Sequence, residues 1–275
     1  MTTPISKLDD VAAAPTIPPP PDVPPRIEWR RAWRAMQRLL ADDGETEQAF
    51  EAIAALSGKD FERLFQRFVA HPDGRALYVE RPSLLDALSN RAALRGMPAG
   101  SFGRAYAQFM DAGKLDAQAL VEAERKSEAA SRLADVDVDR EWFGNRLRDM
   151  HDLWHVLTGY GSNEAGEAAN LAFSFAQTPF RGIALILFGI AVSSPPEGVS
   201  RARWLRYLYR AWTRGRSAAW LPAVPYEQLL ARPLDVVRQS LRIQPAHEVH
   251  PEGVIVARIT RSRIQMPTAG VTAHS

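Results

Sequence analysis

The 275-residue chain contains no cysteine. That absence excludes disulfides, thiolate zinc sites, iron–sulfur clusters and a cysteine nucleophile, so any metal site has to be built from histidine and carboxylate. Lysine is almost as scarce: of 34 basic residues, all but Lys7, Lys59, Lys114 and Lys126 are arginine. The net charge is only +2. With no recognised motif and no decisive charge excess, a nucleic-acid partner is not expected. Long apolar runs are missing too. The longest, Gly182–Val192, is too short to span a bilayer and reads as a buried helix, through core packing or by lining a channel for an apolar ligand. The first residues, MTTPISKLDD, have no apolar stretch of the secretory kind. Asp9, Asp10 and Asp22, with no arginine before Arg26, argue against a mitochondrial transit peptide, so a cytoplasmic location is expected.

What is present is a soluble, globular composition, 46% apolar. Eight of the 20 prolines fall in the first 25 residues, which read as a disordered or polyproline arm, 1–25. From Trp29 on, the pattern is helical: Trp29, Trp33, Met36 and Leu40 recur as one face of a 3.6-period helix. Helices are expected over about 45–56, 59–70, 101–111, 115–129, 138–158, 164–177, 180–193, 200–219 and 233–242. HPDG at 71–74 reads as a turn, and only Ala76–Glu80 and Gly253–Thr260 read as strands. The expected architecture is all-α, a single multi-helix domain over 26–245 with a loosely ordered tail over 246–275.

Residues 145–177 carry the chemistry. His151 and His155 stand four apart on a predicted helix, so both imidazoles project from one face, a spacing that can grip a metal ion. Asp152 stands where the H-E-x-x-H motif of zinc proteases has its longer Glu base, which argues against a protease. Gly159, Tyr160 and Gly161 supply a helix stop, and Ser162 or Asn163 can cap the next helix, giving an αα-hairpin. About Gly161 as centre, His155 lies six residues before and Glu167 six after, so the two face one another. The set His151, Asp152, His155 and Glu167 offers two nitrogens and two carboxylates, which suits Zn²⁺, or Fe²⁺ or Mn²⁺ if positions stay open. Asp152, about 100° round the helix from His151, is either a fourth ligand or a nearby base. The alternative is a pair of helix histidines hydrogen-bonded to carboxylates without a metal.

H-D-x-x-H, eleven residues, then Glu resembles the signature of the coenzyme Q biosynthesis protein four family, and GEAANLAFSFAQ, GSFGRAYAQFM at 100–110, GRSAAWL at 215–221 and YEQLLARPLDVVRQSLRI at 226–243 are similar to other segments of that family. The arm, the tail and the DVDVDREWFGN stretch depart from it. The resemblance implies an all-α homodimer with a zinc-type site from His151, Asp152, His155 and Glu167. It implies work in ubiquinone synthesis: removal and hydroxylation of the C1 carboxyl of a polyprenylated hydroxybenzoate, as a carbon–carbon lyase or oxidative decarboxylase. The alternative role is a non-catalytic lipid-binding scaffold that organises the other ubiquinone-biosynthesis enzymes at the membrane. Arg146 and Arg148 correspond to family arginines. Arg148, three residues before His151, can take a substrate carboxylate bidentately or pair with Asp149 or Glu167 instead. Asp152 and Arg148 are the expected catalytic residues. Tyr160 either donates a hydrogen bond at the site or anchors the turn.

A polyprenyl substrate requires access to lipid. Arg26, Arg30, Arg31, Arg34 and Arg38 surround Trp29 and Trp33. A second cluster, Arg201, Arg203, Arg206, Arg210, Arg214 and Arg216, lies among Trp204, Tyr207, Tyr209, Trp212 and Trp220, with no acid from Val199 to Tyr226. Such helices fit either the surface of an anionic inner membrane, with the protein peripheral to it, or core helices whose polar face is solvated by arginine.

Overall fold

The structure, a computed structural model, describes residue 19 and residues 27–41, 46–113 and 138–256. The expected helix over 115–129 and all of the proline-rich arm except Pro19 lie outside them. Among the described residues there is no strand, and the chain is built from helices. These are α1 (Trp29–Ala41), α2 (Thr46–Ala70), α3 (Pro72–Glu80), α4 (Leu84–Ser89), α5 (Arg91–Gly96), α6 (Phe102–Gly113), α7 (Val138–Asp149) and α8 (His151–Thr158). They continue with α9 (Glu164–Gln177), α10 (Arg181–Val192), α11 (Arg201–Ser217), α12 (Tyr226–Leu229), α13 (Leu234–Ser240) and α14 (Ala246–Val249).

Local chemistry explains several boundaries. The side chains of Ser83, Asn90, Asn163 and Ser200 cap α4, α5, α9 and α11, each accepting from a backbone N–H of the first turn. Gly159, at φ 76°, ends α8 in the left-handed region that glycine adopts without strain.

Several expectations are corrected. The two helices over 45–56 and 59–70 are one, α2. Gly58 costs a helix interior about 1 kcal/mol, but apolar residues on both sides of it (Ala52, Ala55, Leu56, then Leu64, Phe65, Phe68, Val69) are buried, and packing carries the helix through. Ala76–Glu80 is the second half of α3, not a strand. Pro72 occupies the first turn, where its fixed φ favours a helix, so HPDG starts an element rather than turning the chain. The described part of the second strand, Gly253–Val256, has no ladder partner. On α1 the buried face is Ala32, Ala35 and Met36; of the predicted face Met36 is buried, but Trp29 and Trp33 stay exposed. Ala32 packs with Ala55 and Leu56 of α2, where a tryptophan would not fit.

α9 lies at the centre. Its small face, Ala165, Ala168, Ala169 and Ala172, packs on Trp204, Tyr207, Leu208 and Ala211 of α11. Phe173, on another face, meets Trp154 of α8 edge-on, with ring centroids 6.4 Å apart. Gln177, buried at the end of α9, donates to the Gly215 carbonyl (2.5 Å) and accepts from the Leu221 amide (2.8 Å). α7 is tied at two points. Arg140 donates to both Glu62 oxygens (2.7 and 2.8 Å) and to the Pro19 carbonyl, and Arg146 donates to both Glu227 oxygens (2.6 and 3.1 Å) and to the Val224 carbonyl (3.0 Å). α8 is thereby fixed against α6, α7 and α9. The described part of the expected tail carries α14 and buries Ala246, His250 and Ile255.

Candidate metal centre

α7 and α8 are nearly continuous. Met150 between them keeps helical angles, and the Met150 and Trp154 amides keep i→i−4 bonds across the junction. His151 and His155 therefore stand on adjacent turns, with ring centroids 4.9 Å apart. The chain then turns back so tightly that a Cβ on Gly166 would lie 2.0 Å from the Gly161 carbonyl oxygen. This close return, capped by Asn163, brings the first turn of α9 against α8 and sets Glu167 opposite both histidines.

Glu167 Oε2 is 3.1 Å from His155 Nε2 and 3.6 Å from His151 Nε2. Donor atoms of His151, His155 and Glu167 all lie within 4.8 Å of one another. Ligand atoms about 2.1 Å from a tetrahedral ion are about 3.4 Å apart, so the spacing and donor chemistry fit a divalent ion of the zinc, iron(II) or manganese(II) kind. His155 is wholly buried, whereas His151 and Glu167 are about 40% exposed, so the cluster opens on the side away from His155.

The nitrogen of His155 that faces the cluster is set by its surroundings. Nδ1 lies 3.1 Å from the backbone carbonyl oxygen of Tyr160. A carbonyl can only accept, so Nδ1 carries a proton, and Nε2, hydrogen-bonded to Glu167 at 3.1 Å, is the nitrogen left to ligate a metal. Phe109 of α6 stacks on the ring, with centroids 5.4 Å apart and planes 19° from parallel. For His151, burial opposes charge, but the Asp152 hydrogen bond and the carboxylates of Glu167 and Asp152 outweigh it and raise the pKa to about 9. For Glu167, burial likewise opposes charge, and the facing His155 and His151 bring the pKa down to about 2. These are the signs expected of a cluster whose protons stand where a cation would sit.

The other expected residues lie around this set. Asp152 Oδ1 is 3.2 Å from Nδ1 of His151, the nitrogen away from Glu167, and is outside the three-residue cluster. A carboxylate there fixes a ligand histidine's orientation. Arg148 is engaged with Asp149 (2.9 Å) and Asn145 (3.0 Å). Arg146 is buried and turned toward Glu227. Tyr160 is buried in the turn, its hydroxyl 2.9 Å from Nε2 of His250. Phe109 and His250 were not legible as site residues: each reaches the hairpin from a distant segment, and periodicity gives no sign of that.

A family model described as coenzyme Q (ubiquinone) biosynthesis protein Coq4 matches residues 43–247. The chain is 30% identical over 179 residues to the rat protein named ubiquinone biosynthesis protein COQ4 homolog, mitochondrial, a match covering 63% of this chain and 62% of that one. It is 31% identical over 190 residues to the zebrafish homologue of the same name (66% and 64%) and 29% identical over 192 residues to that of the sea anemone Nematostella vectensis (68% and 86%). It thus spans less than two thirds of the length of the vertebrate relatives. Among solved structures, a Nostoc punctiforme protein provisionally assigned to ubiquinone biosynthesis matches with a TM-score of 0.57 and 24% identity, covering 78% of this chain and 98% of that one, and so shares the fold. With its hairpin and most of its helices inside the matched region, the chain belongs to the coenzyme Q (ubiquinone) biosynthesis protein Coq4 family.

Proposed function

We propose that the chain is a metal-dependent enzyme of ubiquinone biosynthesis that removes the C1 carboxyl of a polyprenylated hydroxybenzoate and leaves a hydroxyl in its place. The exchange is a net two-electron oxidation and consumes an oxidant that supplies the hydroxyl oxygen. The observation that carries the reading is the convergence of His151, His155 and Glu167 in a chain of this family. A divalent ion held there would supply Lewis-acid stabilisation of the carboxylate or phenolate and of the ring charge left as CO₂ departs. Asp152 orients His151 through Nδ1, and Phe109 covers the His155 ring and keeps water from it. Arg148, in the turn before His151 and paired with Asp149 and Asn145, would act by exchanging one of these partners for the substrate carboxylate.

The substrate's greasy tail calls for contact with lipid, and two surfaces support a peripheral membrane position. Trp29 and Trp33 are exposed on α1 beside its arginines. On α10 and α11, Phe188, Val192, Leu205 and Tyr209 are exposed, and Arg201 donates to the Ala191 carbonyl (2.9 Å), joining the end of one helix to the start of the other. The acid-free segment from Val199 to Tyr226 surrounds this apolar surface with arginine, as an anionic membrane favours. No helix among the described residues is long and apolar enough to cross a membrane. Ile183, Ile186 and Ile190 of the apolar run are buried in the core.

The test is to express His155→Ala and Glu167→Ala in a cell lacking its own copy and to follow quinone intermediates. Accumulation of intermediates that keep the C1 carboxyl, with the other ubiquinone enzymes still assembled, is the expected result. Normal ubiquinone from variants that have lost their metal would instead favour a scaffold role.

A further inference from the structure

The family match stops at residue 247. Three residues later stands His250, 3% exposed and packed against the turn that joins the two ligand-bearing helices. Its Nε2 shares a 2.9 Å hydrogen bond with the Tyr160 hydroxyl, and its ring lies 4.3 Å, centroid to centroid, from Tyr207 of α11. Burial, and then the charges of Arg214 and Arg210, push its pKa down to about 4, so it meets the phenol as a neutral imidazole. Arg214 closes the other side of the turn: its guanidinium lies 4.9 Å from the Tyr160 ring centroid, and it donates to the Thr158 carbonyl (3.1 Å) and to that of Gln244.

Tyr160 is thus fixed at its side chain by His250 and Arg214, while its main-chain carbonyl is the acceptor for His155 Nδ1. A displacement of the phenol moves that carbonyl. The carbonyl in turn decides where the Nδ1 proton sits and how Nε2 is aimed at Glu167. Groups one layer behind a ligand histidine change metal affinity by about 10–100-fold.

We propose that His250 is a positioning residue for the ligand His155, acting through the Tyr160 turn, so that the segment beyond the family-matched region completes the metal centre. The proposal rests on the metal-centre reading above, and its test separates the two.

Full-length wild type, His250→Ala, His250→Gln and Tyr160→Phe are stripped of metal, and Co²⁺ is titrated against a chromophoric chelator. Affinity, the visible spectrum of the bound cobalt and the melting temperature of the metal-free protein are recorded for each. His250→Ala and Tyr160→Phe are expected to bind Co²⁺ about tenfold more weakly with an altered spectrum. His250→Gln, which keeps a side-chain hydrogen-bonding group, should recover most of the affinity. The Tyr160→Phe/His250→Ala double variant should lose no more than either single variant, because both cut one linkage. If His250→Ala only lowers the metal-free melting temperature, leaving affinity and spectrum as in wild type, His250 is structural and the proposal is overturned. Should His250→Ala fail to fold, the Tyr160→Phe and His250→Gln results decide by the same criterion. Should wild type take up no Co²⁺, the metal-centre reading falls and this proposal with it.

Discussion

Gly166 touches Gly161 across the α8–α9 turn so closely that a Cβ at 166 would lie 2.0 Å from the Gly161 carbonyl oxygen. The obstacle is backbone, so it cannot swing aside as a side chain would. Gly166→Ala should therefore push α9 away from the turn, at a cost of about 1–3 kcal/mol in stability. Because the displaced residue is next to Glu167, metal uptake should fall by more than the loss of folded protein accounts for. Thermal denaturation and metal titration of the variant check this together. Equal losses in the two would mean that the close return serves only the fold.

Acid and base should act oppositely on the metal-free and metal-loaded protein. The folded pKa of His151 is raised to about 9. Its contribution to stability is then fully present below the ordinary 6.5 and is lost as pH rises through about 9. A metal ion needs the neutral ring, so affinity should rise over the same interval. Melting curves in chelator should fall between pH 6.5 and 9, while the increment produced by Zn²⁺ grows. His151→Gln should flatten both trends.

Arg146 and the site are expected to separate. Its buried guanidinium holds Glu227 and the Val224 carbonyl, not a ligand. Arg146→Met strands a carboxylate at a packed junction and should cost about 3–5 kcal/mol. The fraction that stays folded should still bind metal with wild-type affinity, as equilibrium dialysis below the melting transition would read.

Flotation with liposomes addresses the lipid surface. Binding should require anionic lipid and weaken with salt. Leu205→Glu/Tyr209→Glu, at two exposed positions of α11, should abolish it without changing the melting temperature. Binding to neutral liposomes that survives this pair of changes would place lipid contact elsewhere.

Much of this was legible in the sequence because it depends on local spacing. α9 and α11, which begin at side-chain caps, and α8, which ends at Gly159, fall within a few residues of expectation, whereas α4 and α5, capped by Ser83 and Asn90, were not expected at all. His151, His155 and Glu167 meet as helix arithmetic about Gly161 predicts. What was not legible depends on distant partners. Gly58 looks like a break until packing on both sides carries α2 across it, and α1 presents alanines rather than tryptophans because α2 approaches closely. Asp152, next to His151 in sequence, looks like a ligand, yet its carboxylate meets the nitrogen away from the cluster. Phe109 and His250 come from segments 46 and 95 residues away from His155 along the chain, and no periodic pattern joins them to it.

The central claim is that His151, His155 and Glu167 hold a divalent ion. Elemental analysis of the purified full-length protein beside Glu167→Ala, with melting curves before and after addition of Zn²⁺, Fe²⁺ or Mn²⁺, tests it most directly. About one ion per wild-type chain, lost in the variant together with the metal-dependent rise in melting temperature, is the predicted result. A folded wild-type protein that contains no metal and gains no thermal stability from any of the three ions would contradict it.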